Sequence, residues 1–359
     1  MVVVIGAGVT GLAAACALRT RGYDVCVIER HRRPGLDTST RNSGVIHAGL
    51  YYPPGSLKAS MCVEGRDRLY RFCQQHDVPH LRCGKLIVGS DEERTALDRV
   101  AANAAANGVT LRPVDAAFIR AREPHVSASH ALWSPQTGWL DAHAYVRALE
   151  RAARAREVAL LMDTAILGAE RTSYGMTIVT PRERIDAEAV VNAGGLHADE
   201  VSQVLGGEGF HIYPCRGEYA TLAPRARSLV NGLVYPAPHA SGHGLGVHFT
   251  RTLSGEVWIG PTIRYQSRKD DYEDDRLPVE AFLEPVRALL PAITIDDLRL
   301  GGSGIRAKLH PPSERFADFL IRRDVSNPYV VHAAGIDSPG LTASLAIGER
   351  VADIVDTLT

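Results

Sequence analysis

Hydrophobic and polar residues follow two patterns along the chain, and the order of the patterns predicts the first elements. Val2–Ile5 is a short β-branched run that enters a glycine loop, and an alanine-rich segment of helical propensity follows at residues 12–19. A second apolar run covers residues 23–29. A strand, a helix and a strand in this order predict a βαβ unit at the start of the chain.

The rest of the chain changes from helical to strand-like periodicity and back. Helices are predicted at residues 92–107, which Gly108 ends, and at 141–156, for which Asp141 is the expected N-cap. Residues 206–265 alternate apolar and polar positions between glycines and prolines, which predicts an antiparallel sheet. The other predicted strands are 160–167, 176–180, 187–191, 233–236, 246–250, 257–259, 319–321 and 329–333, and the other predicted helices are 279–290 and 341–357.

Composition indicates a folded protein of two domains and excludes several classes of partner. The chain has 359 residues, of which 45% are hydrophobic and 23% charged, and its formal charge is −1. A nearly neutral chain lacks the basic surface that nucleic acid binding requires, so we expect no nucleic acid partner. The six cysteines form neither a CxxC pair nor a metal-ligand cluster, so we expect reduced core residues and no metal site.

The apolar start of the chain is too short for a signal peptide or a membrane span. We therefore expect no transmembrane segment and a cytoplasmic location.

A glycine motif lies between the first predicted strand and the first predicted helix. Gly6 allows a tight turn, Gly8 lets backbone N–H groups approach a pyrophosphate, and Gly11 lets the helix pack closely on the strand. Glu29 ends the second strand, where an acid can hold ribose hydroxyls. This context predicts a dinucleotide site, whereas an ordinary glycine turn would leave Glu29 unexplained. The motif alone does not separate FAD from NAD.

The run of residues 38–52, TSTRNSGVIHAGLYY, separates these two cofactors. It resembles the segment with which the D-amino-acid-oxidase superfamily of flavoproteins surrounds its flavin ring, and it is most similar to the L-2-hydroxyglutarate dehydrogenase/oxidase branch. The resemblance extends over essentially the whole chain. Its six anchors are residues 42–49, 55–59, 191–198, 245–250, 304–306 and 335–342.

The resemblance implies FAD as the cofactor and an α/β fold. It implies a discontinuous Rossmann-type FAD-binding domain at residues 1–75, 142–205 and 296–359. A second, mostly antiparallel β-sheet domain for the substrate is expected at residues 76–141 and 206–295. The active site is expected between the two domains.

The expected cofactor contacts combine short polar side chains with glycines. Ser39, Thr40, Asn42 and Ser43 suit phosphate oxygens and the polar edge of a flavin, although a capped surface turn is the alternative. The predicted helix that Gly340 opens can stabilise negative charge on the flavin with its N-terminus. The full set is Gly6, Gly8, Gly11, Glu29, Arg30, Ser39, Thr40, Asn42, Ser43, Gly44, His47, Ile166, Ala193, Gly194, Gly195, Gly304, Arg306, Gly340, Leu341 and Thr342.

Arg306 and Lys308 are candidate substrate residues. In relatives such as glycine oxidase, the arginine of a similar glycine-containing motif binds the substrate carboxylate, and a planar guanidinium suits that task. The alternative for Arg306 is a structural salt bridge. Lys308, two residues later, would point to the same face of a strand and could bind a second carboxylate.

His47 and His248 are the candidate proton acceptors if the substrate is a hydroxy acid, because its hydroxyl proton leaves as the Cα hydride moves to the flavin. A purely structural role is the alternative for each histidine. His47 also corresponds to a histidine that is covalently bonded to the flavin in dimethylglycine dehydrogenases. Tyr51, Tyr219 and Tyr235 are expected to line the pocket, or else to pack in the core.

The resemblance implies oxidation of a small L-2-hydroxy acid, in particular L-2-hydroxyglutarate to 2-oxoglutarate, with oxygen or a quinone as the electron acceptor. A quinone acceptor would fit a peripheral position at a membrane. One alternative is an oxidase or dehydrogenase of amino acids or N-methyl amino acids. The other is a flavin-binding module without turnover.

Overall fold

The computed structural model describes residues 1–238 and 247–358. Its strands, β1 to β21 in chain order, are Val2–Ile5, Val25–Ile28, Val45–Ile46, His80–Leu81, Lys85–Gly89, Arg112–Val114, His130–Ser134, Gly138–Leu140, Ala159–Leu161, Gly168–Arg171, Met176–Val179, Arg184–Ala187, Ala189–Asn192, Tyr213–Leu222, Leu233–Pro236, Phe249–Arg251, Val257–Ile259, Arg264–Tyr265, Leu298–Lys308, Leu320–Arg323 and Val330–Ala334. Its helices, α1 to α8, are Val9–Thr20, Leu57–Gln75, Arg94–Ala106, Ala116–Arg122, Ala142–Ala155, Ala198–Val204, Leu283–Arg287 and Gly340–Val355.

The first sheet is built around β1 and has the strand order β20-β21-β13-β1-β2-β9. All of its pairs are parallel except that between β20 and β21. Val2 and Val4 pack on the side of α1, α5 and α8, while Val3 and Ile5 pack on the other side. Because both faces are buried, β1 is an unbroken hydrophobic run. The predicted βαβ unit at the start of the chain is confirmed.

The second sheet has nine strands in the order β18-β14-β17-β16-β15-β5-β7-β6, with β19 paired to β14. Its pairs are antiparallel except for β15 with β5. The predicted α/β class with a second, mostly antiparallel sheet is therefore confirmed. Although the predicted domain boundaries assign residues 296–308 to the FAD domain, β19 lies in the second sheet, and the division into domains stays a prediction.

The helix of residues 141–156 is confirmed as α5, and Asp141 caps it by accepting a hydrogen bond from the Ala144 backbone N–H at 2.9 Å. The predicted strand 187–191 is confirmed in most of its length as β13, but it begins two residues later, because β12 ends at Ala187 to pair with β11 and β13 begins at Ala189 to pair with β1. The predicted strand 246–250 begins only at Phe249, and residues 245 and 246 lie outside the described residues.

Two further predicted elements are too long. The strand of residues 160–167 extends only over β9, since its pairing with β2 ends at Leu161. The helix of residues 279–290 consists of a 3₁₀ turn, Val279–Phe282, followed by the short α7.

The longest helix, α2, was not predicted from the sequence. Ser56 caps it by accepting a hydrogen bond from the Ala59 backbone N–H at 3.1 Å. Its buried positions include Lys58, Gly65 and Arg66 among the apolar residues. Because cations and glycine stand where aliphatic side chains are expected, the apolar face is not visible in the sequence.

None of the helices in the described part of the chain combines the length and the hydropathy that crossing a bilayer requires.

We predict that Gly65→Ala destabilises the protein, because α2 touches α8 at this residue. A Cβ at Gly65 would lie 2.6 Å from the Thr342 carbonyl oxygen and 2.7 Å from the Ala343 Cα. Overpacking of this kind outweighs the better helix propensity of alanine and should cost about 1–2 kcal/mol. Thermal unfolding would show a lower midpoint, whereas Gly168→Ala, where a Cβ meets no heavy atom within 4 Å, should leave it unchanged.

Candidate functional site

Two adjoining cavities meet at the N-terminus of α1. The first, of about 270 Å³, lies at the carboxyl ends of β1, β2 and β13. The second, of about 400 Å³, lies between this edge and the second sheet. Both are lined by Gly8, Thr38, Ser39, Ala193 and Gly195, so the two cavities form one elongated site.

The glycine turn brings three backbone segments into direct contact. Gly6 has a φ of +102°, and a Cβ there would lie 2.4 Å from the Ala193 carbonyl oxygen. At Gly11 a Cβ would lie 1.9 Å from the Gly6 carbonyl oxygen. Gly11 lines neither cavity, and its role is the close packing of α1 on the turn. The Val9 N–H donates to Ser39 Oγ at 3.0 Å, which fixes the residue 38–52 loop at the helix start.

Glu29 is buried at the end of β2 and faces the first cavity. Its Oε2 accepts from the Ala7 backbone N–H at 2.8 Å, and its Oε1 accepts from the His31 backbone N–H at 2.9 Å. Arg30 lines the same cavity and pairs with Asp37 at 2.9 Å. The acid therefore stands beside the glycine turn, as the sequence motif predicts.

Most of the other predicted cofactor contacts line one of the two cavities. Thr40 does not, since its hydroxyl donates to the Gly35 carbonyl oxygen at 2.6 Å. Thr342 is fully buried behind the second cavity, where its Oγ1 accepts from the His47 backbone N–H at 3.0 Å. The first cavity is lined by Gly6, Gly8, Glu29, Arg30, Ser39, Ile166, Ala193, Gly194 and Gly195, and the second also by Asn42, Ser43, Gly44, His47, Gly304, Arg306, Gly340 and Leu341.

Arg306 lies in β19 and lines the second cavity. Its Nη1 and Nη2 donate to the Thr262 carbonyl oxygen at 3.2 Å and 3.3 Å. Within residues 1–238 and 247–358 its guanidinium makes no ion pair with a carboxylate, so the described residues do not support the alternative of a structural salt bridge. Carbonyl groups hold the guanidinium in place and leave its charge uncompensated.

Lys308 lines the same cavity, as expected from its spacing with Arg306. It shares the buried carboxylate of Asp337 with Lys58, with Nζ–Oδ distances of 3.3 Å and 2.6 Å respectively. Burial alone would raise the pKa of Asp337, but the two ammonium groups outweigh burial and hold it below its usual value. Two cations and one anion therefore leave a net positive charge at this part of the cavity wall.

His47 faces the second cavity, and its Nε2 lies 3.4 Å from Ser338 Oγ. Ser338 Oγ in turn lies 3.1 Å from the Tyr52 hydroxyl, which forms a short polar chain. Burial, and secondarily the charge of Lys85, lowers the pKa of His47 to about 3. Its imidazole is therefore neutral at physiological pH and able to accept a proton.

His248 and the three predicted tyrosines also line the second cavity. The Tyr235 ring stacks on the His248 ring with centroids 3.7 Å apart. Burial raises the pKa of Tyr51 and Tyr219, so both are neutral phenols. The structure thus brings His47, His248, Arg306 and Lys308 to one cavity.

No role was predicted for Lys58, Asp337, Ser338 or Tyr52 from the sequence. Three of them lie within recognised anchors, and Lys58 is one of only four lysines in the chain. Rarity of lysine is the one sequence signal that could have singled out Lys58. The ion pair and the polar chain depend on contacts between distant segments, which the sequence does not reveal.

Comparison with known proteins agrees with this geometry. The family model described as FAD dependent oxidoreductase (DAO) matches residues 1–354. L-2-hydroxyglutarate dehydrogenase, mitochondrial, of Arabidopsis thaliana is 35% identical over 399 residues, which cover 98% of this chain and 82% of that protein. The L-2-hydroxyglutarate dehydrogenase of Escherichia coli strain K12 is 30% identical, with 99% and 93% covered.

Solved structures share the fold. The dithionite-reduced L-alpha-glycerophosphate oxidase from Mycoplasma pneumoniae, with FAD bound, has a TM-score of 0.89 and 24% identity, and covers 99% of this chain and 94% of its own. Glycine oxidase from Geobacillus kaustophilus has a TM-score of 0.84 and 22% identity, with the same coverage. The predicted superfamily and the predicted cofactor, FAD, are confirmed.

The residues present fit FAD. The glycine turn leaves space that a side chain at Gly8 would fill, 2.9 Å from Ser39 Oγ. Glu29 stands at the first cavity, and the second cavity continues from it past Gly8 to the start of α8. An elongated site of this kind suits a dinucleotide with a second ring system at its far end.

We predict that Glu29→Gln weakens FAD binding about tenfold. The neutral amide has one acceptor oxygen for the Ala7 and His31 N–H groups, so a ribose hydroxyl of FAD loses its charged acceptor, at a cost of roughly 1–3 kcal/mol. Titration of the apoprotein with FAD, followed by flavin fluorescence, measures the change. Glu170→Gln, at an exposed residue of β10, is the control and should bind FAD normally. Equal affinity of Glu29→Gln and the unchanged protein would contradict the assigned role.

Proposed function

Since the chain belongs to the FAD-dependent oxidoreductase family, we propose that it oxidises a small L-2-hydroxy acid, L-2-hydroxyglutarate, to 2-oxoglutarate. The names of its relatives support this substrate. The observation that carries the proposal is the guanidinium of Arg306, which faces the second cavity without an acidic partner in the described chain. A substrate carboxylate would supply that partner.

FAD, when bound, supplies the electron-accepting chemistry by taking a hydride from the substrate carbon. The cofactor contacts that we propose are those predicted residues that line the two cavities. We also propose that residues 1–75, 142–205 and 296–359 form the FAD domain and that residues 76–141 and 206–295 form the substrate domain. Oxygen or a quinone is the proposed final electron acceptor.

Arg306 binds and orients the carboxylate next to the substrate's hydroxyl-bearing carbon. His47 accepts the hydroxyl proton on a ring nitrogen. Its lowered pKa keeps that nitrogen unprotonated before the reaction. Ser338 and Tyr52 extend from His47 Nε2 as a chain of hydroxyl groups, along which a proton can leave. His248 is the second candidate for the same role, since it lines the same cavity.

The cluster of Lys58, Lys308 and Asp337 offers positive charge to a second carboxylate on the substrate. Lys308 and Lys58 share Asp337, so one of their two charges is not neutralised within the cluster. An anionic group near Lys308 would balance it. This excess supports a dicarboxylate such as 2-hydroxyglutarate over a monocarboxylate.

Anaerobic reduction of the yellow protein tests the proposal. L-2-hydroxyglutarate should bleach the visible flavin absorbance, whereas glycine, sarcosine and other amino acids should not. Bleaching by the amino acids alone would favour an amino-acid oxidase. Absence of bleaching by every carboxylate would favour a flavin-binding module.

We predict that Arg306→Met raises the half-saturating concentration of L-2-hydroxyglutarate by about a hundredfold, equivalent to roughly 3 kcal/mol for a charge-assisted pair. Reduction rates over a range of substrate concentrations measure it. Arg299→Met is a matched control, since Arg299 is exposed on the same strand and bonds to the Asp296 and Leu298 carbonyl oxygens. An unchanged half-saturating concentration in Arg306→Met would rule out the clamp.

We predict that Lys308→Met weakens selection for the second carboxylate. The ratio of kcat/KM for L-2-hydroxyglutarate to that for L-2-hydroxypentanoate, which has the same chain length and no distal carboxylate, should fall about tenfold. Both substrates keep the carboxylate for Arg306, so the ratio isolates the distal group. A parallel loss for both substrates would argue against this role of Lys308.

A further inference from the structure

Lys85 is a second buried lysine near the site. It begins β5, is 1% exposed, and its Nζ has no hydrogen-bond partner in the described chain. The Nζ lies 4.1 Å from the centroid of the Tyr235 ring and 4.7 Å from that of Tyr51. The ammonium is therefore held against aromatic faces instead of hydrogen-bond acceptors.

Comparison with Lys58 shows what Lys85 lacks. The two lysines are almost equally buried, at 5% and 1% exposure, but Lys58 has the carboxylate of Asp337 at 2.6 Å. Lys85 has no counter-ion in the parts of the chain that the structure describes. Burial accordingly lowers the pKa of Lys85 to about 7.

The aromatic rings that hold Lys85 also form a wall of the second cavity. Tyr51 and Tyr235 both line it, together with Arg306. His248 covers one face of Tyr235 at a centroid distance of 3.7 Å, so the ammonium must lie over the other face. The charge of Lys85 thus lies behind the aromatic wall of the cavity, in surroundings that screen it poorly.

We propose that Lys85 is a positioning residue whose charge, acting through Tyr51 and Tyr235, strengthens binding of dianionic ligands in the second cavity. The inference rests on the proposed function and deepens it. Arg306 and Lys308 contact the ligand, while Lys85 adds charge from behind the wall.

Four titratable groups around Lys85, those of Cys62, Tyr51, Tyr235 and His47, are neutral near pH 7. Burial raises the pKa of Cys62, on α2, to about 12 and raises the pKa of Tyr51 and Tyr235 above their usual values. His47 is neutral because burial lowers its pKa to about 3. On the far side of Tyr235 stands His248. Among Lys85, Cys62, Tyr51, Tyr235 and His47, Lys85 is the group whose pKa lies near neutral pH.

The thermodynamic linkage between ligand binding and the protonation of Lys85 provides the test. If protonated Lys85 favours the ligand, the ligand must favour protonated Lys85 by the same factor, and saturation must raise the pKa of Lys85. The chain has only four lysines, so ¹³Cε-labelled lysine in the FAD-loaded protein gives four resonances. The absence of one resonance in Lys85→Met assigns Lys85.

Without ligand, the Lys85 resonance should titrate near pH 7. With saturating 2-oxoglutarate the midpoint should rise by about one unit, while the resonance of Lys269, which pairs with Asp199 and Glu200, stays unchanged. This measurement uses the unchanged protein and does not depend on the folding of a variant. A titration midpoint of Lys85 that is the same with and without 2-oxoglutarate would overturn the proposal.

The affinity for 2-oxoglutarate, measured from the perturbed flavin absorbance, should fall about tenfold from about pH 6 to about pH 9. This fall should vanish in Lys85→Met and persist in Lys269→Met. A fall that persists in Lys85→Met would also overturn the proposal. The two proposals can fail separately. A Lys85-dependent fall in affinity without flavin reduction by L-2-hydroxyglutarate would contradict only the proposed function. Flavin reduction without this fall in affinity would contradict only the role of Lys85.

Discussion

The backbone of the first turn lies so close to the end of β13 that no side chain can stand between them, and the cofactor groove depends on this approach. Gly6 and Gly11 remove the Cβ atoms that would separate the turn, α1 and Ala193. The approach places the start of α1 at the junction of the two cavities, both of which Gly8 lines. Glu29 then holds the turn through the Ala7 N–H, so a single carboxylate both shapes the groove and faces it.

In the second cavity, charge and burial act against each other. Carbonyl groups accept hydrogen bonds from Arg306, and Lys58 and Lys308 share the carboxylate of Asp337. Lys85 has neither kind of support. Because no carboxylate offsets its burial, the pKa of Lys85 is lowered, and burial lowers the pKa of His47 as well. The imidazole of His47, with an unprotonated nitrogen, can thus line the same cavity as the cationic side chains of Arg306 and Lys308.

The features that could be predicted from the sequence are those that depend on residues close together along the chain. The glycine motif with Glu29, the N-cap Asp141 and the shared face of Arg306 and Lys308 are local, and the structure has each of them. The break between β12 and β13 depends on pairing with two different sheets. Helix α2 was missed because its buried face carries Lys58 and Arg66, whose partners come from other segments. Similarly, Thr342 was expected at the cofactor but supports the His47 loop from behind.

Helix α8 has a consequence for how the molecule is made. Its first turn lines the second cavity, Thr342 fixes the backbone of His47, and its body packs on α1 and α2, which stand near the other end of the chain. On the ribosome, the nucleotide-binding turn emerges early, whereas the residues that complete the reactive pocket emerge hundreds of positions later. A nascent chain therefore cannot hold a finished pocket until α8 has docked.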